Sequence, residues 1–192
     1  MVKIESSKPM KIAFVSGKGG VGKSSLCFLT ALSLRDAGKE VSVDDRDPQK
    51  SVSSWIDLER DGISDGEGEF TLIDTRPSID HKSVIQAISE ADRIVMPCTP
   101  SPGDITAARA TVEVVLGLMK EGAKAALVLN MVKGGTNFAE DAPDLLKAMG
   151  VPVMNTQIPD RQSIQRAVLL GWKALDSKTQ GIIFKLALEI LS

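Results

Sequence analysis

The chain has one histidine and two cysteines among 192 residues. The histidine, His81, follows a turn and has no ligand-spaced partner nearby, so it reads as an exposed side chain and not as part of a metal cage. Cys27 and Cys98 lie far apart and form no CxxC, so they read as reduced, packed thiols of a cytosolic protein. No apolar run reaches the length of a membrane span. The segment before Met10 is short and polar, so no signal peptide is expected. Positive charge has no surplus: Lys and Arg number 23 against 25 Asp and Glu, a formal net charge of −2. Any contact with nucleic acid would therefore need a local basic patch. There are no internal repeats. What is present is ordinary for a globular protein, with 43% hydrophobic and 25% charged residues. The length suits one domain with a sizeable core. Residues 1–9 read as a frayed tail before a single domain at 10–192.

Strand and helix signals alternate along that domain. The runs at 11–16 (KIAFVS), 41–45 (VSVDD), 70–74 (FTLID), 93–100 (RIVMPCTP), 125–132 (AALVLNMV) and 151–158 (VPVMNTQI) read as strands. Helical spacing is found at 24–39, 83–92, 104–122, 138–150, 163–171 and 178–192, with a short helix between 47 and 60. Gly38 is expected to end the first helix and Asp104 to cap the N-terminus of the one at 104–122. RDGISDGEGEF (60–70) is glycine-rich and acidic and reads as an exposed loop. This alternation predicts an α/β fold, a doubly wound, mostly parallel sheet with helices on both faces.

Between the first strand and the first helix stands GKGGVGKS, Gly17 to Ser24. It fits GxxxxGK[ST] in the context the motif requires. Small residues let successive backbone N–H groups point at phosphate oxygens, and the helix N-terminus adds positive partial charge. Lys23 is placed to reach the β- and γ-phosphates of a nucleotide, and Ser24 to offer its hydroxyl to Mg²⁺. Asp74, at the end of the apolar run FTLID, is the expected carboxylate for that cation. Asp44, Asp45 and Asp47 stand together near the end of the second strand. They would repel one another unless a cation or amides satisfied them, and a solvated turn is the alternative.

These motifs resemble the ParA/MinD group of P-loop ATPases. GKGGVGKSS is similar to the group's deviant Walker A motif, DRDPQKSVSSW to its switch I segment, and LIDTRP to its Walker B. PCTPSPGDITAA and TQIPDRQSIQRAVLLG resemble further stretches of small ParA partition proteins, so the likeness extends from about Met10 onward. The resemblance implies ATP and Mg²⁺ as cofactors, held by Gly17, Lys18, Gly19, Gly20, Val21, Gly22, Lys23, Ser24 and Ser25. It gives Lys18 a role across an ATP-sandwich homodimer, where its charge meets the partner's nucleotide in the manner of an arginine finger. It implies that Asp45 holds Mg²⁺ through water with Ser24 and Asp74, that Asp47 positions the attacking water, and that Lys23 and Lys18 assist catalysis. Asn130 would hydrogen-bond the adenine, with Pro159 and Asp160 close to the base. Arg161, Arg166, Lys173, Lys178 and Lys185 would form a non-specific DNA-binding surface, although a scattered solvated face is the other reading of these residues. A small ParB-like or adaptor protein would stimulate a slow hydrolysis. The setting would be cytoplasmic, with nucleoid association in the ATP state.

Two features depart from the group's pattern. Asp44 stands where an aliphatic strand residue is usual, which leaves the end of the second strand open. The stretch between Asp47 and Asp74 is short, so one peripheral element is expected to be missing or reduced. GIIFKLALEILS could be a membrane anchor as in MinD, but its polar face carries only Lys185 and Glu189, and a core helix is the better reading. The function expected is an ATPase that partitions or positions a plasmid, a chromosome or a protein body. A MinD-like membrane ATPase and a metabolic P-loop enzyme of the dethiobiotin-synthetase type are the alternatives.

Overall fold

The run KIAFVS supplies the central strand of a five-stranded sheet. In the computed structural model, which describes residues 8–59, 63, 68–135 and 137–192, strand β1 covers Met10–Phe14. It is followed by α1 (Lys23–Asp36), β2 (Val41–Asp45), α2 (Ser51–Glu59), β3 (Phe70–Asp74), α3 (Lys82–Glu90) and β4 (Arg93–Cys98). Then come α4 (Pro102–Leu118), β5 (Lys124–Leu129), α5 (Asn137–Lys147), α6 (Gln162–Leu170), a 3₁₀ turn at Trp172–Ala174 and α7 (Ser177–Leu191). The strand order is β2-β3-β1-β4-β5, and all four pairings are parallel. Parallel neighbours need crossovers, and here helices supply them on both faces.

Alternation along each strand divides the core in two. Ile12, Phe14, Leu72, Val95 and Val128 face α1, α2, α6 and α7. Ala13, Val15, Ile73, Ile94, Met96, Leu127 and Leu129 face α3, α4 and α5. Helix α1 is enclosed nearly all round, with Leu26, Cys27, Phe28, Leu29, Ala31 and Leu32 at 0–1% exposure. The thiol of Cys27 is accordingly pushed well up by burial. Helix α7 buries Ile183, Leu186, Ala187 and Ile190 against this layer, as expected of a core helix. Among the described residues no helix is long and apolar enough to cross a membrane.

Strand β2 runs through Asp44 to Asp45, which settles where it ends. Ser42 and Asp44 point to the α3 side of this edge strand. Ser42 shares a hydrogen bond with Thr71 (3.0 Å), and Asp44, its side chain 41% exposed, pairs with Arg46 at 2.6 Å. A polar residue is tolerated there because water reaches that edge of the sheet. Between α2 and β3 the described residues contain no further strand or helix. The expected loop at 60–70 and the expected tail lie largely outside the described residues.

Two expectations need correction. Residues 151–158 do not form a strand; they make one isolated bridge, Leu127 with Val153. Prolines 152 and 159 flank a short segment that is pinned by Glu189, which accepts from the backbone N–H groups of Asn155 (2.5 Å) and Thr156 (3.0 Å). The N-cap of α4 is Ser101, whose Oγ accepts from the backbone N of Asp104 at 3.2 Å. Pro102 and Gly103 place the helix start two residues earlier than the apolar periodicity shows. Asp104 is thereby freed for another task. His81 is exposed as expected, and its Nδ1 caps α3 by accepting from Ser83 N at 3.2 Å.

Candidate functional site

The C-terminal ends of β1, β2, β3 and β5 bring the motif residues to one edge of the sheet. This is where open parallel sheets bind ligands. The loop between β1 and α1 is anchored near its start. Gly17 N donates to Thr111 Oγ1 of α4 (3.1 Å), and Lys18 N donates to Ser16 Oγ (3.2 Å). Gly22 occupies the N-cap of α1 at φ 89° and offers no side-chain cap, so the first N–H groups of the helix stay available to an anion. Lys23 lies almost buried, its Nζ donating across the loop to the carbonyl of Lys18 at 3.3 Å. Burial holds its pKa down while Asp74 and Asp47 draw it up. A cation of this kind exchanges a weak internal contact for phosphate oxygens at little cost in reorganisation.

Asp74 is fully buried, and neither of its carboxylate oxygens has a hydrogen-bond partner among the described residues. Burial pushes its pKa up to about 7; the neighbouring Ser24 hydroxyl opposes this, Asp45 adds to it, and Lys23 again opposes it. An unpartnered carboxylate beside a serine hydroxyl fits a divalent cation. Among the described residues no group of three or more His, Cys, Asp or Glu could hold a metal alone. The remaining ligands of Mg²⁺ would be nucleotide oxygens and waters, as is usual for that ion. When bound there, it would neutralise charge on the phosphates.

In the acidic cluster at the end of β2, Asp44 pairs with Arg46, and Asp45 and Asp47 are satisfied by backbone amides and the Ser53 hydroxyl. Asp45 is paired in register with Asp74 and is 6% exposed. Its Oδ1 accepts from Asp47 N (3.1 Å), and its Oδ2 from Ser53 N (2.9 Å) and Ser53 Oγ (3.1 Å), which ties the first turn of α2 to the strand. Asp47 is 8% exposed, and its Oδ1 accepts from Gln49 N at 2.9 Å. A cleft of about 310 Å³ opens beside these groups, lined by Gly19, Gly20, Lys23, Ser24, Asp47 and Trp55 among others. Trp55 leans on Phe28 of α1, ring centroids 5.7 Å apart, which fixes α2 over the cleft. Pro77, Gln49, Ser51 and Met131 also line it. Spacing alone does not single these out, because each becomes a wall only when its strand end is in place.

Lys18 forms an ion pair with Asp104 of its own chain, and Asp104 also accepts from Thr99. The Lys18 side chain is nonetheless 46% exposed at the rim. Asn130 follows β5 and is almost fully buried, its Nδ2 donating to Val21 O at 2.8 Å. Pro159 and Asp160 lie alongside the next residues of that loop: Val132 bridges Pro159, and Asp160 pairs with Lys133 at 3.4 Å. The basic residues of the last third are only partly gathered. Arg161 is engaged with Thr179 Oγ1 (2.9 Å) and Asp176 (3.7 Å), whereas Arg166, Lys173, Lys178 and Lys185 are exposed. A second cavity, about 350 Å³, lies at the opposite end of β4 and β5, rimmed by Arg93, Lys124 and Glu189, and shares no lining residue with the cleft.

The buried Asp74 gives a signed pH prediction. An unfolded aspartate titrates near 4. The folded chain therefore holds this proton through a window in which the unfolded chain has lost it, and stability falls as pH rises from about 4 to about 7. The loss is roughly 2–4 kcal/mol for a carboxyl so displaced. Asp74→Asn is expected to raise the midpoint of thermal unfolding at pH 8 in the absence of nucleotide and to flatten its slope between pH 5 and 7. An unchanged slope would show that Asp74 is not the titrating group.

The chain has relatives among known proteins. The carboxysome distribution protein A of Halothiobacillus neapolitanus is 28% identical over 188 residues, covering 86% of this chain and 87% of that protein. The apo form of McdA from Cyanthece superposes with a TM-score of 0.78 at 16% identity, over 95% of this chain and 99% of that one. A plasmid partition protein of Borrelia burgdorferi B31 bound to AMPPNP does so with 0.76 at 18% identity, over 96% of this chain and 98% of that one. These two structures share the fold. The sequence profile of the CobQ/CobB/MinD/ParA nucleotide binding domain matches residues 12–171, from within β1 to the glycine that closes α6, so its span takes in the phosphate loop, Asp45, Asp47, Asp74 and Asn130. With that span matched, the chain belongs to the CobQ/CobB/MinD/ParA nucleotide-binding family.

Proposed function

We propose that this chain is an ATPase that dimerises on ATP and positions a cargo by binding DNA without base preference. The observation that carries the reading is the pairing of a complete phosphate loop with an unpartnered, buried Asp74 beside Ser24. That arrangement suits Mg²⁺ and a nucleoside triphosphate. Lys18 and Asp47 supply the two further roles. Lys18 stands half-exposed at the rim and reaches a second subunit's phosphates once it leaves Asp104. Asp47 faces the cleft and holds the attacking water there, and a small adaptor protein accelerates the hydrolysis. The relative from Halothiobacillus neapolitanus is named for carboxysome distribution, which favours a protein body over a plasmid as the cargo. Burial of one face of α7 in the core speaks against a membrane anchor in that helix. The test is ATP turnover with and without Mg²⁺ and with and without DNA. Turnover that requires a small acid or amine would instead indicate a metabolic P-loop enzyme.

The DNA contact rests on Arg166, Lys173 and Lys178, which are exposed, more than on Arg161, which is engaged within the chain. Dimerisation doubles any such patch and adds avidity, so binding is expected with ATP and little with ADP. Arg166→Glu with Lys173→Glu should weaken binding to all sequences alike and lower the salt slope by about one for each phosphate no longer neutralised. Shift assays across a salt series measure this. A slope unaffected by the double change would remove these residues from the interface.

A further inference from the structure

Asn130 holds the phosphate loop from behind. Its backbone N donates to Cys98 O at 2.9 Å, and the N of Val132 donates to Ile158 O at 2.9 Å, so the segment between them is pinned on both sides. Met131, between these anchors, adopts φ 55°, a left-handed conformation that a non-glycine residue keeps only under such constraint. The Asn130 side chain projects onto the loop. Its Nδ2 donates to Val21 O at 2.8 Å in a buried hydrogen bond. The fit at Gly22 is close: a Cβ there would stand 2.1 Å from Asn130 Nδ2 and 3.4 Å from Met131 Cε. The last loop glycine is thus required twice, for its φ of 89° and for the space that Asn130 occupies.

A trans peptide is planar, and its C=O and N–H point to opposite sides. Fixing the carbonyl of Val21 toward Asn130 therefore turns the N–H of Gly22 the other way, to the side on which Gly22 lines the cleft. Without the amide donor this peptide could rotate and present its carbonyl to an incoming phosphate. We propose that Asn130 is a positioning residue for phosphate binding, acting through the Val21–Gly22 peptide, a role that leaves its second amide N–H and its Oδ1 free for the base. The inference rests on the nucleotide reading above and assigns Asn130 a part in it beyond the adenine contact that the resemblance implies.

The two parts differ for a ligand that has no base. Calorimetric titration of the wild-type chain, Asn130→Ala and Asn130→Asp with MgATP and with Mg-tripolyphosphate separates them. Aspartate keeps the size of the side chain but cannot donate. Loss of the buried donor should weaken both ligands by a similar factor, about tenfold or more. Weaker ATP binding with tripolyphosphate affinity unchanged would overturn the proposal in favour of base recognition, and full affinity for both ligands would also overturn it. A measurement on the unaltered chain guards against variants that fail to fold. The Gly22 amide proton should move downfield when tripolyphosphate is added, and its failure to shift while the ligand binds would overturn the proposal. A wild-type chain that bound neither ligand would instead refute the nucleotide reading itself, and this inference with it.

Discussion

Lys23→Ala is expected to leave the fold intact and to abolish ATP binding at micromolar nucleotide. The ammonium lies at the floor of the loop, nearly buried, with Asp74 and Asp47 close enough to raise its pKa against the effect of burial. Among the described residues its ammonium makes one weak hydrogen bond, to Lys18 O at 3.3 Å, which alanine gives up cheaply. In the complex the same charge would face two phosphate groups inside a partly desolvated cleft. Removing one partner of such a pair costs about 2–5 kcal/mol, which is roughly 30- to 5,000-fold in affinity. Lys23→Gln keeps the length of the side chain without its charge and should lose nearly as much. Calorimetry with MgATP is the measurement. Affinity within threefold of wild type in both variants would show that the phosphates are not held by this loop.

How much of this site is legible in the sequence depends on what each residue's role requires. The loop, Ser24 and Asp74 are readable because their chemistry depends on local spacing and on the end of a strand, and both survive in the linear chain. The strands themselves are readable because a strand buried on both faces is a continuous apolar run. Residues 151–158 have the same apolar look but bridge β5 only at Val153, and Pro152 has no N–H with which to extend that pairing. Helix α4 begins earlier than its periodicity shows, because Ser101, Pro102 and Gly103 form a capping start that carries no apolar signal. The pairing of Lys18 with Asp104 joins the phosphate loop to the first turn of α4, and no spacing encodes it. The same is true of Asn130, whose amide meets Val21 across 109 positions of chain. Arg161 groups by sequence with the exposed cations, yet Asp176 and Thr179, which engage it, stand at N-cap and N3 spacing, a capping signal that the linear chain does carry.

Lys18 and Asp47 are expected to fail in opposite ways when altered. Lys18 belongs to the loop but contributes its charge at the rim, 46% accessible. Its partner Asp104 is only 11% exposed, but that carboxylate keeps the Thr99 hydroxyl as a donor when Lys18 turns toward a partner. Lys18→Ala should bind ATP within a few fold of wild type and elute as a monomer, because the second subunit's phosphates then meet no cation in trans. Asp47 sits inside the cleft, and its backbone N–H and Oδ1 bonds hold the turn before α2. Asp47→Asn preserves those acceptor and donor positions while removing the charge that would orient the attacking water. It should bind ATP, hydrolyse it about 10²–10⁴-fold more slowly, and accumulate as a dimer. Size-exclusion chromatography with MgATP, run beside single-turnover hydrolysis, compares the two. A Lys18→Ala chain that dimerises like wild type would remove the trans contact. An Asp47→Asn chain that turns over normally would move the water-positioning role to another residue of the cleft, and identical elution of the two variants would defeat the division of labour altogether.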